Sequence, residues 1–155
     1  MLTTAVFLLT LLGAPPAKLP PDAAPLLEAL DDERRAEAYY LAVMARHGAV
    51  CPFSNIAEAE RRHQSLVLAA LELRGIPAPP NPHAGKSLPV PARIEEACAE
   101  AARLERENVK LYDRLRAAAK TAEVRDLLER LQWMSRERHL PAFERCGGCQ
   151  GDPGR

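Results

Sequence analysis

Residues 54–75 read SNIAEAERRHQSLVLAALELRG, and the order of apolar and polar positions in this stretch decides the fold. Ile56, Glu60, His63, Val67 and Leu71 follow one another at steps of four, three, four and four, the repeat that keeps side chains on one face of an α-helix. Ser54 or Asn55 stands where a cap belongs, with Glu58 three residues after Asn55 as a capping-box partner, and Gly75 is a terminator. The stripe is apolar except at Glu60 and His63. An ionised group on such a face is costly unless a partner or a cation compensates it.

Three more helices follow by the same reasoning. Asp22 to His47 reads as the first, because Leu26, Leu30, Glu33, Tyr40 and Met44 keep a helical spacing, Pro25 is tolerable in a first turn and Gly48 ends it. Pro91 opens a third helix running to about Lys120, with Cys98, Ala101, Glu105, Asn108, Tyr112 and Leu115 on one face. Thr121 caps a fourth, whose face is Leu128, Gln132, Ser135, His139, Ala142 and Cys146. Pro141 lacks an N–H and crowds the carbonyl of Glu137, so it bends the last turn. There is no strand pattern and no internal repeat.

Composition agrees with one all-α domain. The 155 residues are 47% hydrophobic but only 5% aromatic, a core of Ala, Leu and Val. With 21 basic and 21 acidic residues the net charge is zero, which supplies no basic field for nucleic acid or an anionic membrane surface. Four helices, each with one apolar stripe, bury their stripes by packing as a four-helix bundle. Between the second and third, Pro77, Pro79, Pro80, Pro82 and Pro89 make an extended crossover. Such a link reaches ~50 Å against the ~30 Å length of a twenty-residue helix, long enough to carry the chain back along the whole bundle.

The segments at either end stand apart. Leu2 to Leu12 is an apolar run, followed by Gly13, Ala14, Pro15, Pro16 and Ala17, with the first charge at Lys18. It is too short for a bilayer, which takes ~20 residues, and suits a secretory leader cut near Ala14 or Ala17, although its start lacks a Lys or Arg. The expected division is therefore a signal peptide at 1–17, a bundle at 18–146 and a tail at 147–155. The mature chain is expected to be exported, to the periplasm or outside the cell, and to keep no membrane span. An even count of four cysteines suits that address. A crossover brings the starts of the second and third helices and the end of the fourth to one end. Cys51 and Cys98 would there pair with Cys146 and Cys149, in either connectivity.

The inward polar residues form one set. Glu33, Glu60, His63, Glu105 and His139 come from four different helices, and three acids with two imidazoles are an oxygen and nitrogen ligand set for iron or manganese. Without a cation the carboxylates would repel one another and hold protons more tightly.

At these residues the chain resembles the ferritin-like superfamily, within it the rubrerythrin-like sequences and the secreted family known as domain of unknown function 2202. The resemblance rests on Glu33-x-x-Ala36-x-x-x-Tyr40, the run from Ser54 to His63, Glu105 with Tyr112, and Ser135-x-x-x-His139-Leu140-x-Ala142-Phe143. It implies that Glu60 bridges two ions, that Glu33 and Glu105 are terminal or bridging carboxylates, and that His63 and His139 are terminal nitrogen ligands. Tyr40 and Tyr112, with Asn108 and Ser135, would line the ligand set, the tyrosines and Asn108 orienting the carboxylates. The implied cofactor is one or two ions of iron or manganese, and the implied activity is of the oxidase or peroxidase type. One departure matters. The family repeats Glu-x-x-His in its fourth helix, and here Arg136 stands three before His139. Glu137 lies two before His139, about 200° away around the helix, and cannot replace it.

Two other readings compete. One is a non-catalytic, disulfide-stapled bundle with a degenerate metal site, acting as a structural or binding domain. The other takes Cys146-Gly147-Gly148-Cys149 as a redox dithiol, but the pair follows a helix C-terminus, where the dipole does not lower a thiol's pKa. A zinc site of four cysteines is the lesser alternative. His47 and His83 receive no role, and association with further copies of the chain is left open.

Overall fold

The computed structural model describes residues 19–146, so the expected leader at 1–17 and the tail at 147–155, with Cys149, lie outside the described part. Within it the chain is all-helical: α1 (Ala23–His47), α2 (Phe53–Glu72), α3 (Ile94–Ala118), α4 (Ala122–Met134), a π-helical turn (Ser135–His139) and α5 (Leu140–Arg145). None of these helices is long and apolar enough to cross a membrane.

Two apolar clusters lie along the helical bundle, and they fix the direction of each helix. One gathers Leu26 and Leu30 from α1, Val67 and Leu71 from α2, Tyr112 and Leu115 from α3, and Leu128 from α4. The other gathers Tyr40 and Val43, Phe53 and Ile56, Cys98 and Ala101, and Phe143. The first cluster thus takes the start of α1 and α4 and the end of α2 and α3, and the second takes the opposite ends. Ile76 packs in the first cluster while Leu88 and Val90 pack against the second, so the proline-rich link runs the length of the molecule. Full burial of a Leu or Phe side chain contributes about 1.5–3 kcal/mol, so these clusters drive the packing.

The crossover brings Cys98 and Cys146 together as a disulfide, with a Cα–Cα separation of 5.7 Å. Cys51 is disulfide-bonded as well. Tyr40, Phe53 and Phe143 close this end, with ring centroids 5.9 Å apart for Tyr40–Phe53 and 5.0 Å for the other two pairs.

Several helix ends differ from the sequence expectation. Helix α2 begins at Phe53, so Ser54 and Asn55 lie inside its first turn and Pro52 takes the cap position. Phe53 is fully buried, and anchoring that ring sets the start, with the Ile56 N–H donating to the Pro52 carbonyl. Glu58 pairs on the surface with Arg61 and Arg62. Helix α3 starts at Ile94, about a turn after Pro91, whose carbonyl lies 3.0 Å from His47 Nε2. Thr121 does precede α4, but its hydroxyl donates to Asp22 rather than to a free amide of that helix. Asp22 also accepts from the Lys120 and Thr121 amides, so its carboxylate ties the start of α1 to the α3–α4 corner. Gly48, at φ 85, ends α1 as expected, its N–H donating to the Met44 carbonyl.

Candidate metal centre

Between the two apolar clusters the four long stripes each contribute polar side chains to one buried point. Glu33, Glu60, His63, Glu105 and His139 are all buried, none more than 6% exposed. Each sits on the face its spacing assigned, and His139 is delivered by the π turn. Pro141 has no N–H to donate to Glu137, and the Leu140 N–H reaches back five residues to the Ser135 carbonyl. His139 is the last residue of this wide turn and is buried.

Glu60 holds the arrangement together. Its Oε2 lies 3.0 Å from His63 Nδ1, and its Oε1 lies 3.1 Å from His139 Nδ1. Glu33 Oε2 is also 3.1 Å from His63 Nδ1, and Glu105 Oε1 is 3.5 Å from His139 Nδ1. The two imidazoles stack with centroids 5.4 Å apart and planes at 18°. The result is two half-sites, each with one imidazole and one acid of its own, sharing one oxygen apiece from Glu60.

The tyrosines close each half. Tyr112 donates its hydroxyl hydrogen to Glu33 Oε1, and Tyr40 donates to Glu105 Oε1 at 2.5 Å. Both phenols are fully buried and their pKa values are pushed well above the usual value, by burial first and then by Glu33 and Glu105 respectively. They are permanent donors.

Burial and neighbouring charge set the proton inventory of the acids and imidazoles. Glu33 is raised to about 8, because burial disfavours its charge and Glu60 repels it. Glu60 is held below the ordinary value: burial opposes this, but Glu33, His139 and His63 beside it together outweigh it. Burial would lower His63, yet Glu33 and Glu60 beside it lift it to about 9. His139 rises to about 10 by the same contest, against Glu105 and Glu60.

These residues fit a cation. Two ligands adjacent on one octahedral ion with ~2.1 Å bonds stand ~3 Å apart, the spacing seen here. Hydrogen-bonded pairs have the same spacing, so alignment decides between them. His139 Nδ1 is close to two carboxylates but aligned with neither, and both its ring nitrogens are buried without a hydrogen bond. Once it gives up its proton, Nδ1 has oxygens of both Glu60 and Glu105 beside it with which to share a cation. Glu60, His63 and His139 together offer three ligand atoms within 4.8 Å of one another.

Two expected contributors do other work. Asn108 does not bond the three acids; its amide donates to Asp32, and its Oδ1 is buried with no partner. Ser135 is buried at the start of the π turn, but the hydrogen bonds to Glu33, Glu60 and Glu105 come from elsewhere. Arg136 stays outside, half-exposed and paired with Glu137 at 2.7 Å, so its charge does not enter the core. Sequence reasoning missed Asp32. It is only 5% exposed and accepts from both Arg35 and Asn108, and burial raises its pKa although Arg35 opposes this. In a run of acids followed by arginines it reads as solvated surface, and only the Arg35 partner on the next turn hints otherwise.

No protein-family model matches the chain, and no match was found among curated proteins. Solved structures do resemble it. A conserved hypothetical protein from Mycobacterium tuberculosis superposes with a TM-score of 0.69 at 24% identity, covering 80% of this chain and 95% of that one. A hypothetical protein from Methanococcus jannaschii superposes with a TM-score of 0.72 at 22% identity, covering 86% of this chain and 83% of that one. At these identities the likeness is one of fold.

Proposed function

We propose that this chain is an exported, ferritin-like metalloprotein: a four-helix bundle that binds one or two iron or manganese ions between its helices and turns them to oxidase or peroxidase chemistry. The observation that carries this reading is Glu60, with one oxygen beside each imidazole, at 3.0 Å from His63 and 3.1 Å from His139. Glu33, Glu60 and His63 would hold one ion, and Glu60, Glu105 and His139 the other. Three carboxylates against two divalent ions leave one positive charge, which one hydroxide balances.

Such ions, when bound, supply electrons to dioxygen or peroxide at positions the protein leaves open. The chain's own residues set the conditions. Tyr40 and Tyr112 pin the outer acids in place, and the flanking apolar clusters keep bulk water away. Arg136, turned outward to Glu137, would supply no ligand to either ion.

A second reading, the non-catalytic bundle, is favoured by one observation. With protons on Glu33, His63 and His139, the two imidazoles themselves bring positive charge beside the acids, with no metal ion needed. The two readings part on metal content. Protein produced with iron and manganese present is expected to carry one to two equivalents. Less than about half an equivalent would leave the second reading standing.

A further inference from the structure

At the disulfide end of the bundle lies a cleft of about 370 Å³, lined by Glu95, Cys98 and Arg106 of α3 and by Phe143, Glu144 and Cys146. Its size falls within the ~300–1,000 Å³ of small-molecule sites, and both partners of the disulfide border it. They do so unequally. Cys98 is 1% exposed, whereas Cys146 is partly exposed. Thiol–disulfide exchange needs access to one sulfur, and Cys146 is the more accessible partner.

The same bond steadies a ligand of the metal centre. Helix α5 has six residues, of which Phe143 is the buried one. So short a helix is not stable by itself. It is fixed to the bundle by Phe143 against Tyr40 and Phe53, and by Cys146 bonded to Cys98. The Arg106–Glu144 pair at 2.7 Å is half-exposed and adds little. Helix α5 follows His139 directly. Opening the disulfide therefore leaves the segment after His139 held mainly by one aromatic ring.

Charge around the cleft narrows the reductant. Arg106 is taken by Glu144, and Glu95 adds a second acid to the walls. An attacking thiolate that carries a further negative charge is repelled there.

We propose that this cleft is a thiol–disulfide exchange site for a small, otherwise uncharged dithiol, and that reduction there releases α5 and loosens the grip of His139 on metal. One thiolate of the dithiol bonds to Cys146 Sγ as the Cys98–Cys146 bond breaks, and Cys98 leaves as a thiolate that takes a proton from water. The second thiolate then displaces Cys146, which is protonated in turn. The dithiol ends as a cyclic disulfide, and the protein has gained two electrons and two protons as two thiols. The effect on metal rests on the proposed centre; the exchange site and the release of α5 do not.

The folded, metal-free chain tests it: dithiothreitol without denaturant, thiol alkylation with peptide mass spectrometry, and hydrogen exchange on the same samples. Cys98 and Cys146 should both become alkylated, Cys146 the faster. Exchange across residues 140–145 should rise about tenfold, with α1 and α2 unchanged. Measured against a small model disulfide, dithiothreitol should outpace the anionic 2,3-dimercaptopropanesulfonate about fivefold. Manganese affinity by equilibrium dialysis should fall about tenfold on reduction. Cys51 is bonded too, so Cys98→Ala with Cys146→Ala should reproduce the loosened α5 and the weaker binding without reductant. Reduction that requires denaturant overturns the exchange site, and equal relative rates for the two dithiols overturn its preference. Unchanged exchange in α5, or loosening of every helix together, overturns the release. Equal manganese affinity in both redox states overturns the link to His139. Oxidised protein that binds no manganese ends the proposed centre instead, and the α5 exchange then decides the release alone.

Discussion

Loading the centre must expel protons, and the structure fixes how many. Near pH 7 the metal-free cluster holds a proton on Glu33, at about 8, on His63, at about 9, and on His139, at about 10. Filling both half-sites, one of which takes Glu33 and His63 and the other His139, displaces all three, because ligands bind deprotonated. About three protons should therefore be released per filled cluster at pH 7, falling toward about one between pH 9 and 10. The product of the two apparent binding constants should climb by roughly a thousandfold per pH unit around pH 6–7, one decade per proton. The same inventory sets the stability of the metal-free protein. Each group has a folded pKa above its unfolded value, so each contribution is full below about 4.5 for Glu33 and about 6.5 for the imidazoles. Each is lost as pH rises to the folded value, and the melting temperature should fall from about pH 5 to pH 10. Calorimetric titration of manganese in two buffers of different ionisation enthalpy counts the protons directly. Release of fewer than one proton at pH 7 would refute this account of the cluster.

Three further outcomes follow from particular contacts. Tyr112→Phe and Tyr40→Phe each remove the donor that fixes an outer acid, and each should weaken metal binding by about 10–100-fold while the protein stays folded. Equilibrium competition with a coloured chelator measures it, and unchanged affinity in both would show that the tyrosines only fill space. Reducing Cys98–Cys146, whose partners are 48 residues apart, should cost about 4 kcal/mol in urea unfolding, and a loss below about 1 kcal/mol would contradict the constraint. Arg136→Glu places an acid three residues before His139, as in the sequences this chain resembles, but residue 136 is half-exposed and paired with Glu137, so metal stoichiometry should not change. A gain of one equivalent would show that the last helix can turn inward.

The positions of the five cluster residues were legible because charge on an apolar stripe is anomalous in any helix, and four stripes had to meet. Glu60 and His63, three apart, carried the clearest signal. The fate of Asp22, Asp32 and Asn108 was not legible, since each is satisfied by a partner distant in the chain: Thr121 for Asp22, and Asn108 and Asp32 for each other. Local preference misled at Ser54 and Asn55, where burial of Phe53 outweighed the capping tendency of their side chains. Pro141 announced a disturbance in the last helix but not its form; a kink and a π turn both answer the missing N–H, and the chain takes the second.

The central claim is that Glu60 is shared between two ligand sets, and metal analysis of the folded protein beside its Glu60→Ala variant tests it most directly. The account predicts one to two equivalents of iron or manganese in the parent and less than a tenth of that in the variant. Equal metal in both, or none in the parent, would contradict it.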